Sequence, residues 1–415
     1  MHIIVAFLLA ALMLVYKLVE IQLVNDEYKR LAQRTILDKQ LVYPSRGLIY
    51  DRNNKLMCYN KPIYDLEAIY RNINPAMDTS LFVDLLDISK EEFRIRLNKN
   101  WSDRRYHKSL PFNFMDKIDP LIFGKFQEHL FAFPGFYPIN RYIRAYPQAS
   151  ASHLLGYLSE VDNRTVALSE GYAPGDYLGV SGLEKYYENQ LKGIKGVKFL
   201  LRDNVGREVS SFNSGQLDST AVQGSDLYTS IDIELQSYCE KLLQGKRGSI
   251  VAIDPGTGEV LTMASAPSYD PNDLNLDRDR SKAFVRLTDN KEQKPLLDRS
   301  ISARYPPGSI FKPILSLIAL QEGVITGNEN VTCPGYYQYK SFKYGCHDHA
   351  PPTDIPTALM HSCNSYFFSM IQRLIEKEGF YNPEPGLETL NKYLYEFGLG
   401  NKLGIDLVHE IDGFV

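Results

Sequence analysis

RGSIVAIDPGTGEVLTMASAPSYDPNDL, residues 247–274, holds two apolar runs on either side of Asp-Pro-Gly-Thr-Gly. Proline presets one turn dihedral and glycine accepts the positive φ of a tight reversal, so this order of residues predicts a β-hairpin. Before it, SDLYTSIDIELQSYCEKLLQGK (225–246) reads as a strand and then a helix capped by Asp232, with Leu235 and Leu242 on one face. After it, YPPGSIFKPI (305–314) opens an apolar helix expected over 309–322. Strand, hairpin and helix in succession predict an α+β fold, with helices packed on an antiparallel sheet.

The chain has 415 residues, enough for about two or three domains. It is 44% hydrophobic and 23% charged, with net charge −4 and pI about 6.1. No long basic run offers to neutralise phosphates, so nucleic acid is not expected as a partner. Residues 3–16, IIVAFLLAALMLVY, form an unbroken apolar run that extends to residue 24 if Lys17 and Glu20 sit near an interface. No Ala-x-Ala-like cleavage site follows. The run is therefore expected to be an uncleaved transmembrane anchor (1–24) that places the bulk of the chain outside the cytoplasm.

Beyond the anchor, residues 25–40 read as an exposed helix continuing outward. Residues 43–70 read as paired strands around an Asp-Arg-Asn-Asn turn. Residues 71–140 are mixed and charged, with a weak helical pattern at 90–100. Residues 141–162 end in a short strand, and SGLEKYYENQLKGIKG (181–196) reads as one amphipathic helix stopped by glycine.

Ser309 and Lys312 stand three residues apart after Pro-Pro-Gly. One Ser-x-x-Lys arises about once or twice by chance in a chain this long. The unremarkable reading is a helix cap and a solvated lysine. The chemical reading is a nucleophile and its base, because i and i+3 share a helix face and burial makes a lysine neutral. HSCNSYFF (361–368) supplies a second element. In an extended segment Ser362 and Asn364 point one way and Cys363 the other. A hydroxyl relays protons, and a carboxamide both donates to and accepts from a peptide. The alternative is a plain polar loop entering a helix at 365–375.

These residues resemble the Ser-x-x-Lys and Ser-x-Asn motifs of penicillin-binding proteins and serine β-lactamases, whose third motif is Lys-Thr-Gly. SRGLIYDRNNKLMCYN (45–60), RAYPQASASHLLGYLSEVD (144–162), GVSGLEKYYENQLKGIKG (179–196), SIVAIDPGTGEVLTMASAPSYDPN (249–272) and NKLGIDL (401–407) are similar to further blocks of the class B penicillin-binding proteins, in the family's order. The long membrane-proximal half and the cysteine within Ser-Cys-Asn look most like the elongation type. The resemblance implies a pedestal over 25–222 with an inserted head at about 71–140, and a transpeptidase domain over 223–415. It implies that Ser309 attacks the penultimate D-Ala of a peptidoglycan stem peptide, Lys312 serves as base, and Ser362 and Asn364 assist. It also implies β-lactams as acylating mimics and a membrane glycosyltransferase of the shape, elongation, division and sporulation family as partner. The location implied is the bacterial inner membrane, single-pass, with the bulk in the periplasm. No Lys-Thr-Gly occurs in these residues. The chain is therefore expected to be part of a longer protein, and the 415-residue form is not expected to be a competent transpeptidase. The rival reading is a non-catalytic pedestal scaffold that binds and regulates the glycosyltransferase. A compact β-lactamase or multi-span β-lactam sensor fits the anchored pedestal less well.

Cys333, Cys346, His349 and Cys363 are spaced C-x12-C-x2-H-x13-C. Cys-x2-His is a chelating bite, and three thiolates with one imidazole form a structural zinc set. His347 rivals His349 for the imidazole position. A Cys333–Cys346 disulfide or plain buried thiols are the other readings. A metal here would hold the loop that carries Ser362 and Asn364. No cofactor is expected for catalysis itself.

Overall fold

A computed structural model describes residues 13, 17, 37–102, 106–162, 171–173, 175–202, 208–276 and 280–415. The expected anchor, apart from residues 13 and 17, lies outside the described residues, as does most of the helix expected over 25–40. Among the described residues no helix is long and apolar enough to cross a membrane. The chain divides into two compact units, one running to Leu297 and one from Asp298 to Val415.

In the first unit, β1 (Leu37–Val42) stands where the expected helix was to end. Its backbone pairs antiparallel with a strand over 150 residues later, a partner that local sequence cannot reveal. β2 (Ile49–Tyr50) and the long β3 (Leu56–Ala68) form the antiparallel pair expected over 43–70. Helices α1 (Thr79–Leu85), capped by Asp78, and α2 (Lys90–Leu97), with a Ser89–Glu92 capping box, follow. β4 (Phe112–Ile118), α3 (Pro120–Glu128) and β5 (Phe136–Ala145) come next, and β4 and β5 pair antiparallel with β3. Phe82 on α1 is fully buried among Phe93, Phe114, Phe126, Phe133 and Phe136, with ring centroids 4.5 to 5.6 Å away. Most are edge-on, the arrangement ring quadrupoles favour.

α4 (Ser152–Leu155), β6 (Leu158–Glu160) and β7 (Tyr177–Gly179) lead to the segment expected as one helix. It is two, α5 (Gly182–Tyr186) and α6 (Glu188–Leu191), broken at Tyr187 (φ −96°, ψ 23°). Glu184 and Glu188, one on each piece, both turn inward to the buried Arg46. Arg46 gives Nε to Glu184 at 2.6 Å and Nη2 to Glu188 at 2.7 Å, and Arg144 gives Nε to the other Glu184 oxygen at 2.6 Å. Beside Arg46, a Cβ on Gly47 would lie 1.9 Å from the Ser225 carbonyl oxygen, so only glycine admits this approach. β8 (Gly196–Arg202) pairs with β1 and with β9 (Glu208–Ser211). β10 (Leu227–Tyr228) runs parallel to β2.

α7 (Ile233–Leu242) is capped by Asp232, whose carboxylate accepts from the Glu234 and Leu235 N–H groups. Its buried face is Ile233, Gln236 and Cys239, while Leu242 is exposed, so the face expected to carry Leu242 is rotated. The hairpin forms as expected, with β11 (Gly248–Ile253) antiparallel to β12 (Val260–Ala266). Gln236 ties α7 to β12 by bonding the Met263 backbone on both its N–H and C=O. α8 (Arg280–Asp289) closes the unit.

The second unit is mostly helical. A 3₁₀ turn at Gly308–Phe311 leads into α9 (Lys312–Gln321), followed by the hairpin β13 (Tyr336–Tyr339) and β14 (Phe342–Gly345). α10 (Ile355–Met360), α11 (Asn364–Ile375) and α12 (Glu384–Glu396) complete it. Its core joins Leu315 and Ala319 of α9 to Ala358 of α10 and to Cys363, Tyr366, Phe367 and Met370 in and beside α11.

Candidate active site

Ser309 lies on the 3₁₀ turn and is exposed, one turn earlier than a residue of the regular helix would be. It makes no helix-capping side-chain bond, so the unremarkable capping reading does not hold. Lys312 begins α9 and is 8% exposed. The i, i+3 spacing predicts that Lys312 reaches Ser309. Instead the long lysine side chain turns to the start of α11. Its Nζ bonds the Ser362 carbonyl oxygen at 2.7 Å, Ser362 Oγ at 3.0 Å and Asn364 Oδ1 at 2.8 Å. Ser362 Oγ then meets Ser309 Oγ at 2.8 Å. The four predicted side chains thus come together, with Ser362 as the link between Ser309 and Lys312.

The local sequence explains this placement. α10 is held by an Asp354–Thr357 capping box and ends at His361. Ser362 then adopts φ +49°, a left-handed conformation uncommon for serine and typical of strained functional positions. Cys363 follows as N-cap of α11, fully buried, its sulfur accepting from the Tyr366 N–H. The expected alternation holds: Cys363 enters the core while Ser362 and Asn364 reach Lys312. Asn364 is fixed at its other end by donating Nδ2 to the Gly345 carbonyl at 3.1 Å. Lys312 Nζ also lies 5.4 Å from the Phe367 ring centroid.

Burial lowers the Lys312 amine from the ordinary lysine value, with the Cys346 and Cys363 thiols opposing the shift. The contact geometry accommodates either charge state, since an ammonium has three donors for the same three partners. A neutral amine has two N–H donors and one lone pair. Two of the three partners, the Ser362 carbonyl and the Asn364 Oδ1, can only accept. The third, a hydroxyl, can donate to the lone pair.

All five cysteines are free thiols, so the structure carries no Cys333–Cys346 disulfide. Cys333, Cys346, His349 and Cys363 place one ligand atom each within 4.8 Å of one another. Cys346 Sγ is 3.4 Å from His349 Nε2. His349 Nδ1 bonds the Ala350 carbonyl at 2.7 Å, which leaves Nε2 turned toward the sulfurs, as a metal-binding imidazole requires. The rival His347 spends its Nε2 on the His361 carbonyl at 2.6 Å. Burial raises the Cys346 thiol, but hydrogen bonds from the Ser365 and Asn364 backbones, His349 and Cys333 bring it down to about 6. Burial pushes the Cys363 thiol up to about 12. Cys346 also accepts from the Asn364 N–H at 3.2 Å, which joins the thiol cluster directly to the serine–lysine site. Neither this link nor the Gly345 anchor was expected from the sequence. The alternating YYQYKSFKYG run over β13 and β14 was the available signal.

Two family descriptions match: the penicillin-binding protein dimerisation domain over residues 41–229 and the penicillin-binding protein transpeptidase domain over 248–415. The peptidoglycan D,D-transpeptidase MrdA of Escherichia coli strain K12 is 31% identical over 421 residues, covering 96% of this chain and 62% of the relative. The MrdA of Acinetobacter baumannii is 29% identical, covering 94% of this chain and 56% of that protein. In fold, the chain is similar to the solved complex between penicillin-binding protein 2 and MreC from Helicobacter pylori. The TM-score is 0.72 at 24% identity, over 91% of this chain and 69% of that one. The chain spans about three fifths of the length of the curated relatives it matches.

Proposed function

The chain belongs to the penicillin-binding protein family, and from that premise we propose that it works as a peptidoglycan D,D-transpeptidase acting through Ser309 during cell elongation. The observation that carries the proposal is the chain of contacts from Ser309 through Ser362 to Lys312. With Lys312 neutral, Ser309 gives its proton to Ser362 Oγ as Ser362 passes its own to Lys312 Nζ. Ser309 Oγ then attacks the penultimate D-Ala carbonyl carbon of a stem peptide. The tetrahedral intermediate collapses by breaking the bond to the terminal D-Ala nitrogen. That nitrogen takes the proton back from Lys312 along the same path, leaving an ester on Ser309. An amine of a neighbouring strand then attacks the ester carbonyl carbon and gives up its proton through Ser362 to Lys312; the bond to Ser309 Oγ breaks, Ser309 takes a proton back along the same path, and the new amide closes the cross-link. Asn364, held by Lys312 and Gly345, positions the lysine and offers its amide to the substrate.

The donor set and the orientation of His349 support a structural zinc ion held by Cys333, Cys346, His349 and Cys363. It would supply rigidity, because Cys363 stands between Ser362 and Asn364 and Cys346 accepts from Asn364. Four protein ligands leave no open position for chemistry.

The apolar run at 3–16 supports a single inner-membrane anchor with the bulk of the chain in the periplasm. The region matching the dimerisation domain is the proposed surface for a membrane glycosyltransferase partner. The Helicobacter pylori relative was solved with a partner of its own, MreC. In the family the Lys-Thr-Gly strand completes the oxyanion hole, and no such tripeptide occurs here. The 415-residue polypeptide alone is therefore proposed not to be a competent transpeptidase.

Intact mass before and after β-lactam treatment of the protein in its native membranes tests the proposal. One β-lactam adduct, absent in Ser309→Ala, is expected. No adduct at saturating β-lactam, or one that persists in Ser309→Ala, refutes the role of Ser309.

A further inference from the structure

β13 and β14 form a two-stranded sheet, so one edge of β14 carries no further strand among the described residues. The register decides which groups lie on that edge. Tyr339 pairs with Phe342, Tyr337 with Tyr344 and Tyr336 with Gly345. One step beyond, the Cys346 N–H donates to the Gly335 carbonyl at 2.8 Å, which makes that pair a hydrogen-bonded one. Hydrogen-bonded and open pairs alternate along an antiparallel ladder. Phe342 and Tyr344 therefore turn their backbone groups to β13, and Lys343 and Gly345 turn theirs outward. The Gly345 carbonyl agrees, because the Asn364 amide reaches it from beyond the edge at 3.1 Å.

Three outward groups follow along the strand: the Gly345 N–H, the Lys343 carbonyl and the Lys343 N–H. None has a partner among the described residues, and all four residues of β14 are exposed. Donor, acceptor and donor in this order complement one more extended strand. Gly345 fits the same reading. Its φ is not in the left-handed region, and a Cβ there would meet nothing within 4 Å, so neither backbone nor packing demands glycine. A glycine in a strand marks a place where a ligand or another backbone can approach closely. Alternation puts the Lys343 side chain on the face opposite Tyr344, whose ring packs on Phe368 of α11 at 5.3 Å. There Lys343 Nζ lies 4.5 Å from the Tyr336 ring centroid, with no carboxylate partner among the described residues. The occupant that fits is an extended peptide bearing a carboxylate.

The edge begins at the reacting groups. Asn364 bonds Lys312 through Oδ1 and Gly345 through Nδ2, and Ser362 joins Lys312 to Ser309. No contact on this path exceeds 3.1 Å, so an extended peptide at about 3.4 Å per residue spans it in about four residues at most. In the proposed reaction the leaving nitrogen and the attacking amine both exchange protons through Ser362. The attacking strand therefore comes to the Ser309 ester from the Ser362 side, where β14 lies. We propose that the outer edge of β14 holds the acceptor: the stem peptide whose amine attacks the ester docks there as an added strand, with a carboxylate on Lys343. That this peptide belongs to peptidoglycan rests on the proposed function, whereas the need for an extended, carboxylate-bearing peptide rests on the strand alone.

The test is fluorescence anisotropy with a labelled stem tetrapeptide, which carries the amine but lacks the terminal D-Ala and so cannot act as donor. The protein, purified from its native membranes, is compared with Lys343→Pro and Lys343→Glu, with thermal melting as the control for folding. Proline removes the outward N–H of residue 343 without touching a ladder bond to β13, and glutamate reverses the charge. Saturable binding is expected in the parent. It should weaken by about tenfold or more in each variant, as the loss of one hydrogen bond or charge contact implies. A tetrapeptide N-methylated along its backbone should bind the unaltered protein as weakly, a comparison that needs no variant to fold. No saturable binding at millimolar peptide, affinity indifferent to N-methylation, or full affinity in either folded variant overturns the proposal. Penicillin labelling of the unaltered protein tells the two readings apart. Labelling without peptide binding overturns the acceptor edge alone. Peptide binding on these terms without labelling upholds the edge and overturns the transpeptidase reading.

Discussion

Ser362→Ala removes one atom from the proton path and leaves Lys312 in place. The lysine keeps the carbonyl oxygen of residue 362 at 2.7 Å and Asn364 Oδ1 at 2.8 Å. Only Ser362 Oγ disappears, the atom that stands 3.0 Å from Lys312 Nζ and 2.8 Å from Ser309 Oγ. A positioned general base contributes about 10²- to 10⁴-fold to rate. Here the base survives but no longer touches the hydroxyl it serves, so the lower part of that range applies. Acylation should fall about 10²- to 10³-fold, or about 3–4 kcal/mol of activation free energy at about 1.4 kcal/mol per decade. The assay is the second-order rate of covalent labelling by a fluorescent penicillin, with thermal melting as a control for folding. Because residue 362 sits at φ +49°, alanine also bears backbone strain there. Ser362→Gly separates the two effects, since glycine adopts this conformation freely while still lacking the hydroxyl. Equal losses in both variants are expected. A fall of less than about fivefold in Ser362→Gly, well short of the contribution of a general base, would refute the relay and mean that Lys312 takes the proton from Ser309 directly.

Three further outcomes follow from the same geometry. Burial disfavours the charged amine of Lys312, so acylation should rise with pH and level off below about 10.4, the ordinary lysine value; a rate that falls with pH, or keeps rising past that value, contradicts a neutral base. Elemental analysis should find one zinc per chain, and Cys363→Ala should lose both the metal and most β-lactam acylation; full acylation without zinc would remove the metal from the account. Burial raises the Glu184 carboxyl, but Arg144 and Arg46 outweigh it and hold it below the usual carboxylate value. The stability it contributes is present above about pH 4.3 and is lost as pH falls through the lowered folded value. Glu184→Gln leaves two buried guanidinium groups under-compensated, so urea denaturation at neutral pH should show a loss of about 3–5 kcal/mol. A loss under about 1 kcal/mol, the range of an exposed pair, would mean the network contributes little.

Features that depend on neighbours in the chain were legible without coordinates. The hairpin over 247–274 formed where Asp-Pro-Gly-Thr-Gly placed its turn, and Asp232 capped its helix, because turn and cap chemistry act within a few residues. Cys363 points inward between Ser362 and Asn364 as expected, but through a turn with Ser362 at φ +49° rather than the extended stretch that alternation assumes. Features that depend on distant partners were not legible. Residues 37–42 form a strand because β8 offers an edge, and nothing local announces that pairing. The segment 181–196 breaks at Tyr187 as Glu184 and Glu188 both turn to Arg46, over 130 residues earlier. Leu242 looked like a core residue by spacing, yet the packing of α7 turned Gln236 inward instead.

The same division runs through the candidate active site. The sequence singled out Ser309, Lys312, Ser362 and Asn364 as candidates, because each motif is a short pattern with its own chemistry and together they resemble a known set. It also singled out the three cysteines and His349 by their spacing. Only the tertiary structure decided that Lys312 bonds to Ser362 and Asn364, 50 and 52 residues away, and that Ser362 joins it to Ser309. Only the tertiary structure turned His349 Nε2 toward the sulfurs and committed the rival His347 to the His361 carbonyl. The physical reason is reach. A motif states which groups are present, but a lysine or histidine side chain selects among partners within several ångströms of its backbone. Which partners lie there is set by how α9, β14 and the start of α11 pack.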